Sequence, residues 1–356
     1  MTIHSVITGS GRYIPSVVVP NADFLQHEFH GPDQQRLDKP NAEILEQFET
    51  ITGIRERRYV SPELLNSDMA FLAAQDALAS SGTDPESLDY IILAHNFGNV
   101  AHGSHRSGLV PSLASQVKDR LRIKNPGTVA MDLIFGCPGW LQGVIQADGM
   151  IRCGDIQRAL VIGSDTLSRI SDPHDRDSLI YADGAGAVIL EGRETEAGIL
   201  AHGVRSDTFD HGKMLVMGPS YKAGAFPGDH FLKMEGRKLY KYALNHVPGA
   251  IKDCLDRAGV PLGSVKKVLI HQANWKMDEA ILEALYRRFG TEAPPQDVMP
   301  MTISWLGNSS VATIPTLLDL IQKGDMEGHA LHSGDTVVLA SVGAGMNINA
   351  VVYRVP

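Results

Sequence analysis

An apolar run that leads into a glycine turn stands near residue 130. The residues from Val129 to Ile134 are largely apolar, which predicts a buried strand. Gly136 permits a sharp turn, and Pro138 suits the first position of a helix because it has no N–H to leave unbonded. The pattern therefore predicts a strand, a tight turn that contains Cys137, and a helix from about Pro138 to Met150.

The same order of helical and strand patterns occurs twice along the chain. In the first copy a helical pattern ends at Gly82 and leads to the apolar run Ile91 to Leu93. In the second copy a helical pattern ends at Gly259 and leads to Val268 to Ile270, 177 positions further on without a gap. Each copy is typical of a helix, a glycine stop and a buried strand, so a duplicated α/β unit is predicted.

A second, shorter repeat supports a duplication. Gly154 and Gly334 lie 180 positions apart, each is followed by Asp, and each pair precedes an apolar run. The strand-like residues Ala187 to Leu190 are followed by a polar segment in which we place the boundary between the copies. The sequence thus predicts an α/β protein of two related halves, residues 1–193 and 194–356.

The composition is that of a globular protein. Of the 356 residues, 43% are hydrophobic and 21% are charged, which is enough for a large core. No stretch approaches the roughly 18 apolar residues of a membrane helix, and the first residues lack the pattern of a secretory signal, so we expect a cytoplasmic protein without a membrane span. The net charge of −9 argues against nucleic acid as the main partner.

The cysteines and histidines are not spaced as metal ligands. The three cysteines are odd in number and widely separated, which predicts reduced thiols rather than a disulfide framework. Cys153 and Cys254 have no catalytic context, so we expect them to pack in the core. His95, His102 and His105 have no carboxylate or thiol at ligand spacing among them, and we predict no metal site there.

Cys137 stands where the N-terminus of a helix can act on it. The positive end of the helix dipole is expected to lower the pKa of the thiol, and the unbonded N–H groups can hold an oxyanion. Two more polar side chains stand at predicted element ends, where open α/β sheets place their chemistry: His271 follows a strand and Asn308 precedes a helix. An imidazole can share the proton of a thiol, and an amide can hold a carbonyl oxygen. Cys137, His271 and Asn308 are therefore our candidate catalytic residues.

Seven short motifs occur in the order found in one enzyme family. They are Thr52-Gly53-Ile54-Arg55-Glu56-Arg57-Arg58, Gly136-Cys137, Asp172-Pro173-His174-Asp175-Arg176, Asp183-Gly184-Ala185-Gly186-Ala187, His271-Gln272-Ala273-Asn274, Gly307-Asn308-Ser309-Ser310 and Gly343-Ala344-Gly345. On these motifs the chain resembles the β-ketoacyl-acyl-carrier-protein synthase III family, condensing enzymes of the thiolase superfamily, over nearly its whole length. The resemblance implies a thiolase-like five-layered αβαβα fold, paired as a homodimer. Asn308 in place of a second histidine separates the chain from elongating ketosynthases with a Cys-His-His set.

The resemblance also implies an acyltransferase mechanism that requires no metal or organic cofactor. Cys137 would be acylated by an acyl thioester and then attacked by the carbanion of a malonyl thioester, with loss of carbon dioxide. His271 and Asn308 would bind the malonyl carbonyl and stabilise the enolate. The amide of Cys137 and the backbone around Gly343 and Ala344 would form an oxyanion hole for the other carbonyl.

The resemblance leaves the acyl donor open between coenzyme A and acyl-carrier protein. Family members that take coenzyme A commonly have a Trp and an Arg where this chain has Gln47 and Ile51, although Arg176 is kept. The altered adenine site favours a carrier protein as the donor of both substrates. Carrier proteins are acidic, so cations near the pocket would speed their encounter. The candidate binding residues are Arg176, Arg237, Lys241, Lys276, Arg287 and Arg288.

Other functions are compatible with the same motifs. The nearest is a specialised ketosynthase that joins two long acyl thioesters, similar to those of dialkylresorcinol or aryl polyene pathways, and the altered coenzyme A site and a long segment near Ser104 favour it. A non-catalytic partner subunit of a ketosynthase would be expected to lack one of the three catalytic side chains. An acyl hydrolase would need a path for water to the thiol. Fatty-acid and secondary metabolism both stay open.

Overall fold

A computed structural model of the chain describes residues 2–291 and 293–356. The strands are β1 (Ile3–Tyr13), β2 (Val17–Pro20), β3 (Glu56–Tyr59), β4 (Tyr90–His95), β5 (Asn99–Val100), β6 (Ser107–Gly108), β7 (Val129–Ile134), β8 (Arg158–Thr166), β9 (Asp183–Glu194), β10 (Gly198–Ser206), β11 (Leu215–Gly218), β12 (Phe231–Met234), β13 (Val265–Ile270), β14 (Thr336–Gly343) and β15 (Asn347–Arg354). The α-helices are α1 (Asn41–Thr52), α2 (Asn66–Ser81), α3 (Leu113–Arg120), α4 (Gly139–Cys153), α5 (Thr208–His211), α6 (Gly236–Ala258), α7 (Trp275–Arg288), α8 (Ile303–Leu306) and α9 (Thr313–Gln322). None of these helices is long and apolar enough to cross a membrane.

Two mixed sheets form the frame of the molecule. The first has the strand order β1-β9-β8-β4-β7, and the second has the order β10-β15-β14-β13. Strand β4 is parallel to both of its neighbours, β13 is parallel to β14, and the remaining pairs of these two sheets are antiparallel. The first sheet uses residues 3–194 and the second uses residues 198–354. The division into two domains at residue 193 stays a prediction.

The helices lie in three layers that alternate with the two sheets. Apolar residues of α2 and α3 pack on the outer face of the first sheet. Helices α4 and α9 fill the space between the sheets, where apolar residues from both sheets meet them. Helices α6 and α7 cover the outer face of the second sheet. Each sheet thus buries both of its faces, and the predicted five-layered αβαβα fold is confirmed.

The repeated sequence pattern folds into equivalent elements. Helix α2 ends at Gly82 with φ 65°, and α6 ends at Gly259 with φ 63°. This left-handed conformation carries little strain only for glycine, which explains why both helices stop there. Each helix then leads into a strand with a parallel neighbour, β4 in the first half and β13 in the second.

Two expectations about burial are wrong. Strand β7 forms at the predicted residues, but Val129 is 43% exposed and Ile134 is 60% exposed because β7 is the last strand of its sheet and pairs on one side only. Cys254 is buried within α6, as expected, whereas Cys153 is exposed because it is the last residue of α4. A strand at a sheet edge can have the same apolar sequence as a central strand.

Candidate active site

Cys137 lies in the turn between β7 and α4, pressed against the loop that follows β14. Gly136 has φ 84°, and a Cβ atom built there would lie 2.9 Å from the backbone nitrogen of Ala344. A Cβ atom at Gly343 would lie 2.7 Å from the backbone nitrogen of Cys137. Both glycines are therefore required by close backbone approach. The contact brings the backbone amides of residues 137 and 344 close together.

His271 directly follows β13 and is held by the neighbouring strand. Its backbone N–H donates to the carbonyl oxygen of Ala340 in β14, over 2.8 Å. The side chain is buried, and within the described residues its Nδ1 atom has no hydrogen-bond partner. Burial lowers the pKa of His271 to about 4, although the backbone of Ser310 acts in the opposite direction. The imidazole is therefore neutral near pH 7.

Asn308 lies in the loop between α8 and α9, and its orientation is fixed by hydrogen bonds. Its backbone N–H donates to Ile180 O and its carbonyl oxygen accepts from Ala182 N, both over 2.9 Å. The Oδ1 atom of its side chain accepts from the backbone N–H of Ser310, also over 2.9 Å. Because Oδ1 is used, the Nδ2 amide is the part of the side chain left to donate to a ligand.

The three predicted catalytic side chains line one small cavity. Its volume is about 70 Å³, and Cys137, His271 and Asn308 all face it together with Gly343 and Ala344. The rest of the lining is Asn96, Phe97, Gly136, Leu167, Tyr181, Leu215, Leu232, Met234, Leu239, Ala273, Met277, Ser310 and Val342. A thiol, a neutral imidazole and an amide donor thus meet in a mainly apolar site, which we call the inner cavity.

The thiol of Cys137 does not have the low pKa expected from its place before a helix. Burial raises the pKa of Cys137 to about 11, and the nearby carboxylate of Asp165 acts in the same direction. Within the described part of the chain, the hydrogen bond that the sulfur accepts comes from Ser310 Oγ at 3.4 Å and not from His271. Desolvation is therefore the largest effect on this pKa, and the resting group is a thiol.

Comparison with known proteins points to one family. A family model described as 3-oxoacyl-[acyl-carrier-protein (ACP)] synthase III matches residues 131–208, and the model of its C-terminal part matches residues 255–355. The solved 3-oxoacyl-[acyl-carrier-protein] synthase III of Aquifex aeolicus VF5 is 29% identical with a TM-score of 0.79, over 98% of this chain and 99% of that chain. The β-ketoacyl-[acyl carrier protein] synthase III of Thermus thermophilus is 29% identical with a TM-score of 0.80, over 99% of both chains. The solved 3-oxoacyl-(acyl carrier protein) synthase III of Pseudomonas aeruginosa PAO1 is 28% identical with a TM-score of 0.79, over 99% of this chain and 98% of that chain.

The chain belongs to the 3-oxoacyl-[acyl-carrier-protein] synthase III family. It is therefore an acyltransferase, a condensing enzyme of the thiolase fold.

A larger cavity of this synthase III enzyme adjoins the inner cavity and has a volume of about 770 Å³. The two cavities share Met234, Leu239, Ala273 and Met277 in their linings. The remaining lining is Lys39, Ile44, Gln47, Phe48, Ile51, Thr52, Arg176, Asp177, Ile180, Gly236, Arg237, Lys238, Tyr240, Lys241 and Asn274. We call this space the vestibule. Gln47, Ile51 and Arg176, where the family resemblance predicts an altered coenzyme A site, all belong to it.

The predicted cations of the synthase III enzyme divide into two groups. Arg176, Arg237 and Lys241 line the vestibule, and Lys276 is exposed in the first turn of α7. Arg287 and Arg288 lie at the other end of that helix, roughly 18 Å along its axis from Lys276. Arg287 pairs with Glu283 at 3.4 Å, and Arg288 donates to Asn245 O at 3.2 Å. The structure thus brings Arg176, Arg237 and Lys241 to the vestibule, whereas Lys276, Arg287 and Arg288 are not part of its lining.

Three residues outside the predicted catalytic set, Ser310, Asn96 and Asp165, form a hydrogen-bonded group beside the thiol of this synthase III site. Ser310, which contacts the sulfur, has φ 55°, a strained conformation for a residue with a side chain. Asn96 donates to Ser310 Oγ at 2.9 Å and to Asp165 at 2.6 Å from its side chain, and its backbone N–H donates to Asp165 at 2.8 Å. Burial raises the pKa of Asp165 to about 6. Asn96 directly follows the end of a strand. This strand-end position is the sequence signal from which Asn96 could have been predicted as a site residue.

Two of the histidines near position 100, His95 and His105, lie beside carboxylates. His95 is buried and its Nε2 atom lies 3.0 Å from Asp132 Oδ2, while His105 Nδ1 lies 2.8 Å from Asp229 Oδ2. In residues 2–291 and 293–356, no group of three or more His, Cys, Asp or Glu side chains is arranged to hold a metal ion.

Proposed function

We propose that the enzyme catalyses the decarboxylative Claisen condensation of an acyl thioester with a malonyl thioester through an acyl-Cys137 intermediate. The observation that carries this proposal is that Cys137, His271 and Asn308, which are far apart in the sequence, line one cavity of about 70 Å³. Family membership supplies the reaction class, and the geometry supports the assignment of each step to a residue.

Acyl transfer comes first. The sulfur of Cys137 forms a bond to the acyl carbonyl carbon, the bond from that carbon to the donor sulfur breaks, and the thiol proton leaves with the donor thiol. The tetrahedral oxyanion is held by the backbone N–H groups of Cys137 and Ala344, which Gly136 and Gly343 allow to approach. Ser310 Oγ, already within hydrogen-bond distance of the sulfur, stabilises the thiolate form as it develops.

Condensation follows in the same cavity. The bond between the malonyl carboxylate and C2 breaks, carbon dioxide leaves, and the electron pair stays on C2 as an enolate. The neutral imidazole of His271 and the Nδ2 amide of Asn308 donate to the enolate oxygen. C2 then attacks the acyl carbonyl on Cys137, the bond from that carbon to the Cys137 sulfur breaks to release the 3-oxoacyl product, and the Cys137 thiolate takes a proton from water to return to the resting thiol. No step in this sequence requires a metal or an organic cofactor.

We propose acyl-carrier protein as the donor of both substrates. The vestibule carries Arg237 and Lys241, which are exposed and have no acidic partner within salt-bridge distance among the described residues. Gln47 and Ile51 present neither a large ring nor a cation where an adenine would stack. Unpaired cations beside the entrance suit an acidic carrier protein. Coenzyme A thioesters are the alternative donors within the family.

We propose that the enzyme is a homodimer joined at the free edge of β7. Val129 and Ile134 are exposed there, and one side of the strand has no partner strand in the described residues. An apolar sheet edge of this kind favours pairing with a second copy of the chain. The cytoplasmic location expected from the sequence stays a prediction.

Intact-mass spectrometry with acyl-carrier-protein and acyl-coenzyme A donors tests the proposed acyl transfer. We expect the wild-type enzyme to gain the mass of one acyl group and Cys137→Ala to gain none. Cys153→Ala is the matched control, because Cys153 is also a free thiol but lies exposed at the end of α4, and it should gain the same mass as wild type. Acylation that persists in Cys137→Ala, or no adduct with any donor, would contradict the proposal.

A second candidate function has one structural observation in its favour. The vestibule, at about 770 Å³, includes Ile44, Phe48 and Ile51 in its lining and has room for a second acyl chain. A ketosynthase that joins two long acyl thioesters would use such a space. Release of carbon dioxide from a malonyl thioester during turnover would support the first function, and turnover of two acyl thioesters without malonyl would support the second.

A further inference from the structure

The hydroxyl of Ser310 has one proton and two acceptors close to it. Its Oγ atom lies 3.4 Å from the sulfur of Cys137. The carboxylate of Asp165 is a second acceptor, since the Ser310 hydroxyl is near enough to lower the pKa of Asp165. The hydroxyl can stabilise the thiolate of Cys137 only when its proton points to the sulfur. The group that directs this proton therefore affects the reactivity of the thiol.

Asn96 occupies the competing acceptor. Its backbone N–H donates to Asp165 Oδ1 over 2.8 Å, and its side-chain Nδ2 donates to Asp165 Oδ2 over 2.6 Å. Asp165 is fully buried, and burial raises its pKa to about 6, so it is ionised above pH 7. An ionised carboxylate accepts hydrogen bonds and donates none. The side chain of Asn96 is therefore oriented with its NH2 group, and not its oxygen, toward Asp165.

The second N–H of the same amide is directed at Ser310. Asn96 Nδ2 lies 2.9 Å from Ser310 Oγ, and the serine oxygen is the acceptor in this contact. The Ser310 hydroxyl then has its own proton left for another acceptor, and the sulfur of Cys137 lies 3.4 Å away. The backbone N–H of Ser310 is held separately by Asn308 Oδ1. The contacts thus form a directed chain that starts at Asp165 and ends at the thiol of Cys137.

The other titratable side chains around this chain, within the described residues, are His271, Tyr181 and His95. Burial lowers the pKa of His271 and raises that of Tyr181, so both are uncharged near pH 7. His95 lies on the other side of Asp165, and its Nε2 atom is 3.0 Å from Asp132 Oδ2. Among these groups Asp165 is the one whose charge acts on the pKa of the thiol.

We propose that Asn96 is a positioning residue for the acylation step, which directs the Ser310 hydroxyl at the sulfur of Cys137 and keeps it from Asp165. This inference rests on the proposed acylation of Cys137. When the sulfur gives up its proton to attack the donor, the hydroxyl is already oriented to donate to the thiolate and does not have to turn. Without the Asn96 amide, Asp165 is free to accept the Ser310 proton, and the thiolate loses its donor.

The test follows thiolate formation at the active-site cysteine by alkylation with iodoacetamide between pH 7 and 10, on a Cys153→Ala background. Asn96→Leu keeps the approximate size of the side chain and removes both amide donors. We expect its rate profile to move to higher pH by about 0.5–1 unit, which is a rate about three- to tenfold lower at a given pH. Asn99→Leu is the matched control, because Asn99 donates to Ser67 and Gln116 instead, and its profile should not move.

A double variant distinguishes a positioning role from a structural one. If Asn96 acts through the serine, Asn96→Leu should change the alkylation rate less than about twofold when Ser310→Ala is already present. A structural role gives the same loss with and without the serine hydroxyl. An equal loss on both backgrounds, or an Asn96→Leu profile within about 0.2 pH unit of its parent, overturns the proposal.

Two further arms separate this inference from the proposed function. Alkylation needs no acyl donor, so a wild-type enzyme that gains no acyl mass from any donor contradicts the proposed function, whereas normal acylation with an unmoved alkylation profile contradicts only the role of Asn96. If Asn96→Leu does not fold, Asn96→Thr replaces it. Its one hydroxyl proton cannot serve both Asp165 and Ser310, so we expect a shift to higher pH, and an unmoved profile overturns the proposal.

Discussion

Two physical effects act on the thiol of Cys137 in opposite directions. The residue precedes α4, whose N-terminal dipole favours the thiolate, but it is enclosed in a mainly apolar cavity near the carboxylate of Asp165. Burial prevails and raises the pKa of the thiol to about 11. A neutral thiol at rest reacts slowly with oxidants and alkylating agents, because the thiolate is the nucleophile.

The pH dependence of alkylation tests this balance. On a Cys153→Ala background, which removes the exposed thiol, the rate of Cys137 alkylation by iodoacetamide should rise about tenfold per pH unit from pH 7 to 10. The rise follows the thiolate fraction, which increases until the pH reaches the pKa of about 11. A plateau at or below pH 8.5 would show that the dipole prevails instead.

Ser310 is the side chain that stabilises this thiolate most directly. Removal of its hydroxyl in Ser310→Ala should slow Cys137 acylation by about tenfold, the effect of one hydrogen bond to a charged group, and should shift the alkylation profile to higher pH. Ser309→Ala is the matched control, because the neighbouring hydroxyl contacts Thr313 rather than the sulfur. If both variants behave alike, the Ser310 contact has no chemical role.

At the scale of secondary structure, the site depends on how closely one turn approaches one loop. The turn between β7 and α4 and the loop after β14 touch through backbone atoms, and the two glycines at the contact have no side chain to separate them. The parallel pairing of β13 with β14 places His271 beside the same loop. The positions of the proposed oxyanion amides and of His271 are thus set by adjacent strand ends.

Gly136→Ala should disrupt this approach. The added Cβ atom would lie 2.9 Å from the backbone nitrogen of Ala344, so the loop must move and acylation should fall by at least about tenfold. Gly154→Ala is the control, because Gly154 has a similar φ of 82° but open space around the added atom. Urea unfolding should show a loss of about 1–2 kcal/mol from backbone strain in both variants, while acylation should fall only in the first. Normal acylation by Gly136→Ala would contradict the contact.

At the scale of the whole molecule, residues from both halves of the chain line the inner cavity and the vestibule. The inner cavity takes Cys137 from the first half and His271 and Asn308 from the second. The vestibule likewise combines residues of α1 with the start of α6. Its exposed cations, Arg237 and Lys241, give a local positive surface on a protein whose net charge is −9.

Charge reversal at the vestibule tests carrier-protein delivery. Arg237→Glu with Lys241→Glu should raise the KM for acyl-carrier protein about tenfold at low salt and leave kcat little changed, because the acidic partner is repelled before chemistry begins. A short acyl-pantetheine donor should be unaffected. Arg287→Glu, which reverses a cation away from the vestibule, is the control. An equal rise in KM from the control variant would argue against the vestibule as the docking site.

Much of the frame could be predicted from local patterns. The strand at residues 129–134, the glycine stops at Gly82 and Gly259 and the helix after Pro138 all follow from short-range rules of apolar spacing and backbone conformation. The edge position of β7 could not be predicted in this way, because strand order within a sheet depends on residues far away in the chain. The exposure of Ile134 is a consequence of that order.

The same distinction holds for the candidate site. The sequence by itself determined which residue types were available, since Cys137, His271 and Asn308 each stand beside a local signal of an element end. Only the tertiary structure decided what surrounds them: the burial that raises the pKa of Cys137, the Ser310 contact to its sulfur and the mainly apolar wall of the inner cavity. The physical reason is that desolvation and hydrogen bonding depend on neighbours brought together from both halves of the chain, whereas helix caps and turns depend on residues a few positions apart.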